Sequence, residues 1–262
     1  MILGALFNRL FNVAFLAAVV LAIHGAWQVH AFAGEIATPT TLHGGDQFRI
    51  IFVTPDKITG SSPTIGDYNN FVNTEAAGAT YNGVTIHWSA VVSTTTVNAR
   101  DNIGLTASGV YLANGNEVAT SADTSGGGLW DASTPLINQP VTDLSNNSYS
   151  GNTVWTGTTG IGTTFKSATG GNIYNWGLGN SQSPIIIGGT DFSSNVGVGL
   201  LSSSGTGYNW ISNQGIVDLN SNSYQIYGIS DVLTVIPEPS TFLISGLGIL
   251  VFGLAQRNRK RN

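Results

Sequence analysis

Gln47-Phe48-Arg49-Ile50-Ile51-Phe52-Val53-Thr54, closed by Pro55, is the run on which the fold turns. Its aromatic and β-branched residues predict a strand, and Pro55, which has no backbone donor, predicts its end. A helix is expected next. Ser62 is its predicted cap and Pro63 suits its first turn. Ile65, Tyr68, Phe71, Val72 and Ala76 then fall on one helical face before Gly78 closes it.

Working outward, Thr85 to Val92 (TIHWSAVV) reads as a second strand running into Ser93-Thr94-Thr95-Thr96. Val97 to Ile103 is expected to make a turn of helix holding Arg100 and Asp101. Gly109 to Val118 reads as a hairpin around Asn114-Gly115, a step suited to a type I′ turn. From Ser121 the character changes. Islands such as Leu129-Trp130-Asp131, Val154-Trp155-Thr156-Gly157, Tyr174-Asn175-Trp176 and Tyr208-Asn209-Trp210 stand between long Ser/Thr/Gly/Asn stretches, the pattern of a small core under long connections. The last two islands, with Asn180 and Gln182 after one and Asn213 and Gln214 after the other, suggest a weak internal duplication. Tyr224 to Ile236 is expected to be the final strand. The expected fold class is α+β, mostly β and loop-rich, with one main helix.

Both ends of the chain read as addresses. Residues 1–33 have the parts of a secretory signal: Arg9, an apolar Phe11 to Ile23, and a cleavage site at Ala31, Ala33 and Gly34. An uncleaved N-terminal membrane helix is the alternative. At the other end, Pro237-Glu238-Pro239 is followed by an apolar run from Phe242 to Leu254 and then by Arg257, Arg259, Lys260 and Arg261. The prolines break any regular element and hold Glu238 in an extended peptide. The run is roughly 13 residues, short for a bilayer crossing, and the basic cluster would remain cytoplasmic. The globular domain is thus expected at 34–236 and the tail at 237–262.

That order of triplet, glycine-containing apolar helix and Arg-rich end resembles the PEP-CTERM sorting signal of exported bacterial proteins; the plain alternative is an ordinary anchor behind a proline hinge. The resemblance implies a membrane-embedded exosortase as partner, after signal peptidase and the secretion machinery. It also implies transient membrane anchoring through the C-terminal helix, then the cell surface or extracellular matrix. A role in exopolysaccharide and biofilm formation is implied at family level. The middle domain resembles the C-type-lectin-like or endostatin-like fold through Trp88-Ser89-Ala90-Val91-Val92-Ser93 and Val154-Trp155-Thr156-Gly157, with a β-sandwich as the alternative. That family's cysteines and its Glu-Pro-Asn and Trp-Asn-Asp triplets are missing here, so no sugar-binding residue carries over.

Composition narrows the chemistry. The chain has 34 glycines, no cysteine and only 9% charged residues, which suits an exported β-rich protein and excludes disulfides and thiolate chemistry. Between the two tails, Arg49, Lys57, Arg100 and Lys166 face thirteen acidic residues, so nucleic acid is not an expected partner. His43 and His87 are too few for a histidine metal cluster. No Gly-x-Ser-x-Gly elbow occurs, and Phe165 stands where a P-loop before Lys166 needs glycine. No catalytic residue is assigned and no cofactor is expected. The weak calcium candidate is Asp218, Asn220 and Asn222, which copy loop ligands but have Ser223 and Ile229 in place of glycine and glutamate. Trp176 and Trp210 are the candidate glycan contacts. The expected role is structural or adhesive; the alternatives are a lectin-like module and a polysaccharide-acting enzyme using acids such as Asp131 or Asp191.

Overall fold

A computed structural model describes residues 34–131, 133–149, 152–169, 172–180, 186–187, 190–191, 195–200, 210–211 and 217–237. In chain order, β1 is Gln47–Val53 and β2 Ile58–Thr59, followed by helix α1 (Ile65–Glu75), β3 (Thr80–Tyr81), β4 (Val84–Thr85) and β5 (Trp88–Ala90). The short helix α2 (Ala99–Ile103) leads to β6 (Gly109–Tyr111), β7 (Glu117–Ala119) and β8 (Thr153–Trp155). Then come β9 (Lys166–Thr169), β10 (Asn172–Asn175), β11 (Ile186–Ile187), β12 (Thr190–Asp191), β13 (Asn195–Leu200) and β14 (Val217–Leu219). The body closes with β15 (Ser223–Tyr224), β16 (Tyr227–Ser230) and β17 (Leu233–Thr234). The described chain is mostly β with few helices, as its composition implied.

The main sheet has the order β5-β16-β1-β6-β7, with β17 also pairing β1. β1 runs antiparallel to β16 and parallel to β6, so it lies in the middle. Successive side chains of a strand point to opposite faces, and here both faces are covered. Phe48, Ile50 and Phe52 face a cluster that includes Tyr68 and Val72 of α1 with Trp88 and Trp155. Ile51 and Val53 face a second cluster with Val110, Leu112, Trp130, Trp210 and Tyr227. A central strand buried on both sides is apolar along most of its length, which is why Ile50 to Val53 shows no polar alternation.

Its one charge, Arg49, is 2% exposed. The guanidinium donates from Nε to the Ser230 carbonyl at 2.7 Å and from Nη1 to the Gly104 carbonyl at 3.1 Å. Burial pulls its pKa down to about 10, opposed by the field of Asp231. These bonds staple a bulge. The β16 register pairs Ile51 with Ile229, but β17 pairs Phe48 with Leu233, so one extra residue is taken up around Asp231 and Val232. The expected final strand is therefore three short ones.

Helix α1 covers the edge of the sheet. Asn73 Nδ2 donates to the Trp88 carbonyl at 2.6 Å, and Asn73 Oδ1 accepts the Trp88 N–H at 3.0 Å. One turn earlier, Asn69 Oδ1 accepts the Ala90 N–H at 2.8 Å, and Asn102 Nδ2 completes the set by donating to the Ala90 carbonyl at 2.8 Å. Three helical asparagines, Asn69 and Asn73 of α1 and Asn102 of α2, thus supply what a neighbouring strand would supply, and β5 offers no open edge there. The helix comes this close because Gly228 lies beneath it: a Cβ there would stand 2.4 Å from Val72 and 2.5 Å from Phe52. The cap differs from expectation. Thr64 occupies the N-cap position without a side-chain bond, while Ser62 Oγ accepts the Thr64 N–H at 3.1 Å.

The hairpin β6–β7 forms as expected, but with another turn. Only Gly115 has positive φ (86°); Leu112 N–H donates to Asn116 O and Gly115 N–H to Leu112 O. The two-residue turn with both central residues at positive φ, Asn82 at 51° and Gly83 at 72°, instead joins β3 to β4. In the loop-rich half, β8 pairs with β13, and Ser93 N–H donates to the Thr156 carbonyl at 2.7 Å. Tyr208, Asn209, Gln182, Asn213 and Gln214 lie outside the described residues, so the suggested duplication is not tested there.

Candidate functional site

The chain leaves the body along β17, which pairs antiparallel with the start of β1, Gln47 opposite Thr234 and Phe48 opposite Leu233. The ladder continues one residue further. Val235 N–H donates to the Asp46 carbonyl at 2.9 Å, and Gly45 N–H donates to the Val235 carbonyl at 2.8 Å. The Val235 side chain is buried in the same cluster as Phe48. Ile236 is 62% exposed, and Pro237 has no N–H with which to extend the pairing.

The receiving element is the tight turn His43-Gly44-Gly45-Asp46. Asp46 N–H donates to the His43 carbonyl at 2.9 Å, and Asp46 Oδ2 accepts the His43 N–H at 2.7 Å. Gly45 has φ of 96°, open to glycine. Pro237 lies over Gly44 so closely that a Cβ on that glycine would stand 2.7 Å from the Pro237 Cα. The Pro-Glu-Pro triplet therefore starts on the surface of the folded body, with no spacer. Glu238, Pro239, the apolar run and Arg257, Arg259, Lys260 and Arg261 lie outside the described residues. Among the described residues no helix is long and apolar enough to cross a membrane.

The other end is similarly tied. Ala31 and Ala33 lie outside the described residues, but the Gly34 carbonyl accepts the Thr80 N–H at 3.1 Å and Ile36 N–H donates to the Thr80 carbonyl at 2.8 Å. Glu35 accepts from Thr80 Oγ1 at 2.6 Å, the main reason its carboxyl sits below the usual range. The first residues after the expected signal cleavage are thus bridged in parallel to β3 through Glu35 and Thr80.

The remaining candidates are placed less favourably. Trp176 and Trp210 are buried, at 7% and 2% exposure, so neither forms the exposed platform that a sugar ring stacks on. Trp210 packs against Trp130 and Tyr227, and its carbonyl accepts the Tyr227 hydroxyl at 3.0 Å. Nor is any exposed large apolar side chain among the described residues aromatic. The calcium candidate is a turn from β14 to β15. Asn222 N–H donates to Leu219 O at 2.9 Å and Asn220 Nδ2 to the Asn180 carbonyl at 3.2 Å, while Asp218 is a strand residue of β14. Among the described residues no three His, Asp or Glu side chains gather as metal ligands.

Asp131 is a loop cap. Its Oδ1 accepts from the Ser133 N–H at 2.9 Å and from the Ser133 hydroxyl, and its Oδ2 accepts the Gly127 N–H at 3.0 Å. Hydrogen bonds led by Ser133 hold its carboxyl well below the usual range, which keeps it ionised and unsuited to giving up a proton. Asp123 is held down likewise, first by the Ser121 hydroxyl. Asp191 lies in β12, and its side chain is outside the described residues. Sequence reasoning missed a buried acidic corner. Glu75 (4% exposed) accepts the Asp56 N–H at 3.0 Å, and Asp143 (5%) accepts the Tyr149 hydroxyl at 3.1 Å. Burial, then the charge of Asp143, pushes Tyr149 up to about 12. It missed the seating of Val235 and Pro237 on the His43–Asp46 turn as well. The Gly-Gly step before the first strand was the available signal.

A search among curated proteins finds no match. The comparison with known families gives no support to the C-type-lectin-like resemblance and one match, to the PEP-CTERM protein-sorting motif over residues 235–260. The match begins at Val235, the last residue held in the ladder. The chain carries a PEP-CTERM protein-sorting motif over residues 235–260, the mark of a protein that exosortase sorts to the cell surface.

Proposed function

We propose that this is an exported surface or matrix protein whose body, residues 34–236, acts after exosortase has removed the apolar tail, in a structural or adhesive role with extracellular polysaccharide. The observation that carries it is the joining of a sorting motif to a well-packed body that starts at Gly34, where the signal is expected to be cut. The tail delivers and the body works. Four basic against thirteen acidic residues make the body repel anionic polymers, so a neutral glycan, or an acidic one bridged by divalent cations, is the fitting partner. No residue of the body is assigned a catalytic or cofactor role. The contact between Ser93 and Thr156 brings the two motifs of the C-type-lectin-like reading side by side.

The test is the mass of the C-terminal peptide of the mature protein from cell-surface and culture fractions of the producer. A terminus close to Pro237-Glu238-Pro239, with Phe242 to Asn262 missing, is expected. An intact tail ending at Asn262 in the membrane fraction overturns sorting by cleavage. Retention of the purified mature body on the producer's own polysaccharide tests the matrix role, and free passage through it removes that role.

A further inference from the structure

The sorting motif and the folded body overlap. Val235, the first residue matched to the motif, is 8% exposed and bonded through both its N–H and its carbonyl to the His43–Asp46 turn. Pro237, the first residue of the triplet, is seated against Gly44, where a Cβ would stand 2.7 Å from its Cα and 2.8 Å from its Cβ. A processing enzyme takes its substrate as an extended peptide, reaching several residues to each side of the cut bond. With the dock closed, Leu233 and Thr234 are strand and Val235 is bonded at both its backbone groups, so of the four residues before the triplet only Ile236 stands out from the body.

We infer that the His43–Asp46 turn is a dock that gates the sorting cleavage, with Gly44 as its positioning residue: exosortase acts on the chain in which Val235 to Pro237 have lifted off. This rests on the proposed processing and adds its regulation. The dock is made for release. It consists of two backbone bonds at the end of a ladder, beyond the last strand pair, with exposed Ile236 between its two contacts. Such a terminus opens far more readily than the central strand, and cleavage of a locally opened segment follows the population of the open form when opening is fast. The dock also imposes an order. β17 pairs with β1, so the gate exists only once the two ends of the body have met.

Two substitutions open the dock by different routes. Gly44→Ala places a methyl where Pro237 sits, and Asp46→Ala removes the carboxylate that accepts the His43 N–H. Gly83→Ala is the control, because it strains a positive-φ turn elsewhere and its Cβ meets open space. In the full-length chain purified in detergent, amide exchange at Gly45 and Val235 is expected to rise roughly tenfold in both dock variants, with Ile50 and Ile51 unchanged. In pulse-chase labelling of the producer, the same two variants are expected to lose the tail several-fold faster than the wild type and Gly83→Ala.

Faster exchange with unchanged or slower tail loss overturns the gate while leaving sorting by cleavage intact. Unchanged exchange at Gly45 and Val235 in both variants overturns the dock itself. A wild-type chain that never loses its tail overturns the processing reading and the gate together. A structural role alone for Gly44 would slow maturation through poor folding, which is the opposite direction.

Discussion

Single residues decide how closely the parts of this body approach. Gly157 has φ of 59°, and a Cβ on it would stand 2.4 Å from the Ser93 carbonyl oxygen and 2.7 Å from Leu178. Backbone atoms do not yield as a flexible side chain does. Gly157→Ala is therefore expected to cost about 3 kcal/mol or more, read as a lower urea midpoint with unchanged slope. Acid tests a different kind of residue. Asp123 and Asp131 are both held below their ordinary value of 3.8 by serine hydroxyls and loop N–H groups that only the folded chain gathers. The stability they contribute is complete above that ordinary value and is lost as pH falls through their lower folded values. The gap in stability between wild type and a D123N/D131N double variant should thus be widest at neutral pH, narrow as pH falls below about 3.8, and close only once pH has passed below both folded values. A gap that stays constant with pH would show that these carboxylates act by packing alone.

At the scale of elements, the pair α1 and β5 is the most informative. The helical period placed Tyr68 and Val72 on the buried face correctly, because a sheet needs only an apolar stripe to pack on. It said nothing of Asn69 and Asn73, which look like ordinary solvent-facing residues until β5 lies beside them. Asn73→Ala removes both bonds to Trp88 and is expected to cost about 1–3 kcal/mol. It should also speed exchange of the Trp88 amide and raise self-association through the freed edge. Asn73→Asp keeps the acceptor but loses the donor, so it should recover part of the Trp88 N–H protection and none of the bond to the Trp88 carbonyl. The two turns make the same point. Asn114-Gly115 and Asn82-Gly83 share a dipeptide, yet only the second has both residues at positive φ, because strand register selects the turn.

At the scale of the whole molecule, the main sheet has a core on each face; the C-terminal end of the body is tied to the start of the central strand β1, and its N-terminal end to the β3–β4 hairpin. Shortening the mature chain to begin at Thr38 should therefore weaken it measurably, since the Gly34 to Ile36 pairing with Thr80 is lost; an unchanged melting temperature would count against that tie. The sequence by itself determined the C-terminal sorting motif, the central strand, the main helix and the loop-rich second half. These depend on local properties: apolar periodicity, proline's missing donor, and the order of charge around an apolar run. Only the tertiary structure decided that Trp176 and Trp210 are core residues, that Arg49 staples a bulge, that Asp131 caps a loop, and that Pro237 rests on Gly44. All of those but the Asp131 cap, which is built from Gly127 and Ser133 close by, depend on a partner far away in the chain, and the register of a strand over so long a separation is fixed only when the faces of the sheet are buried together.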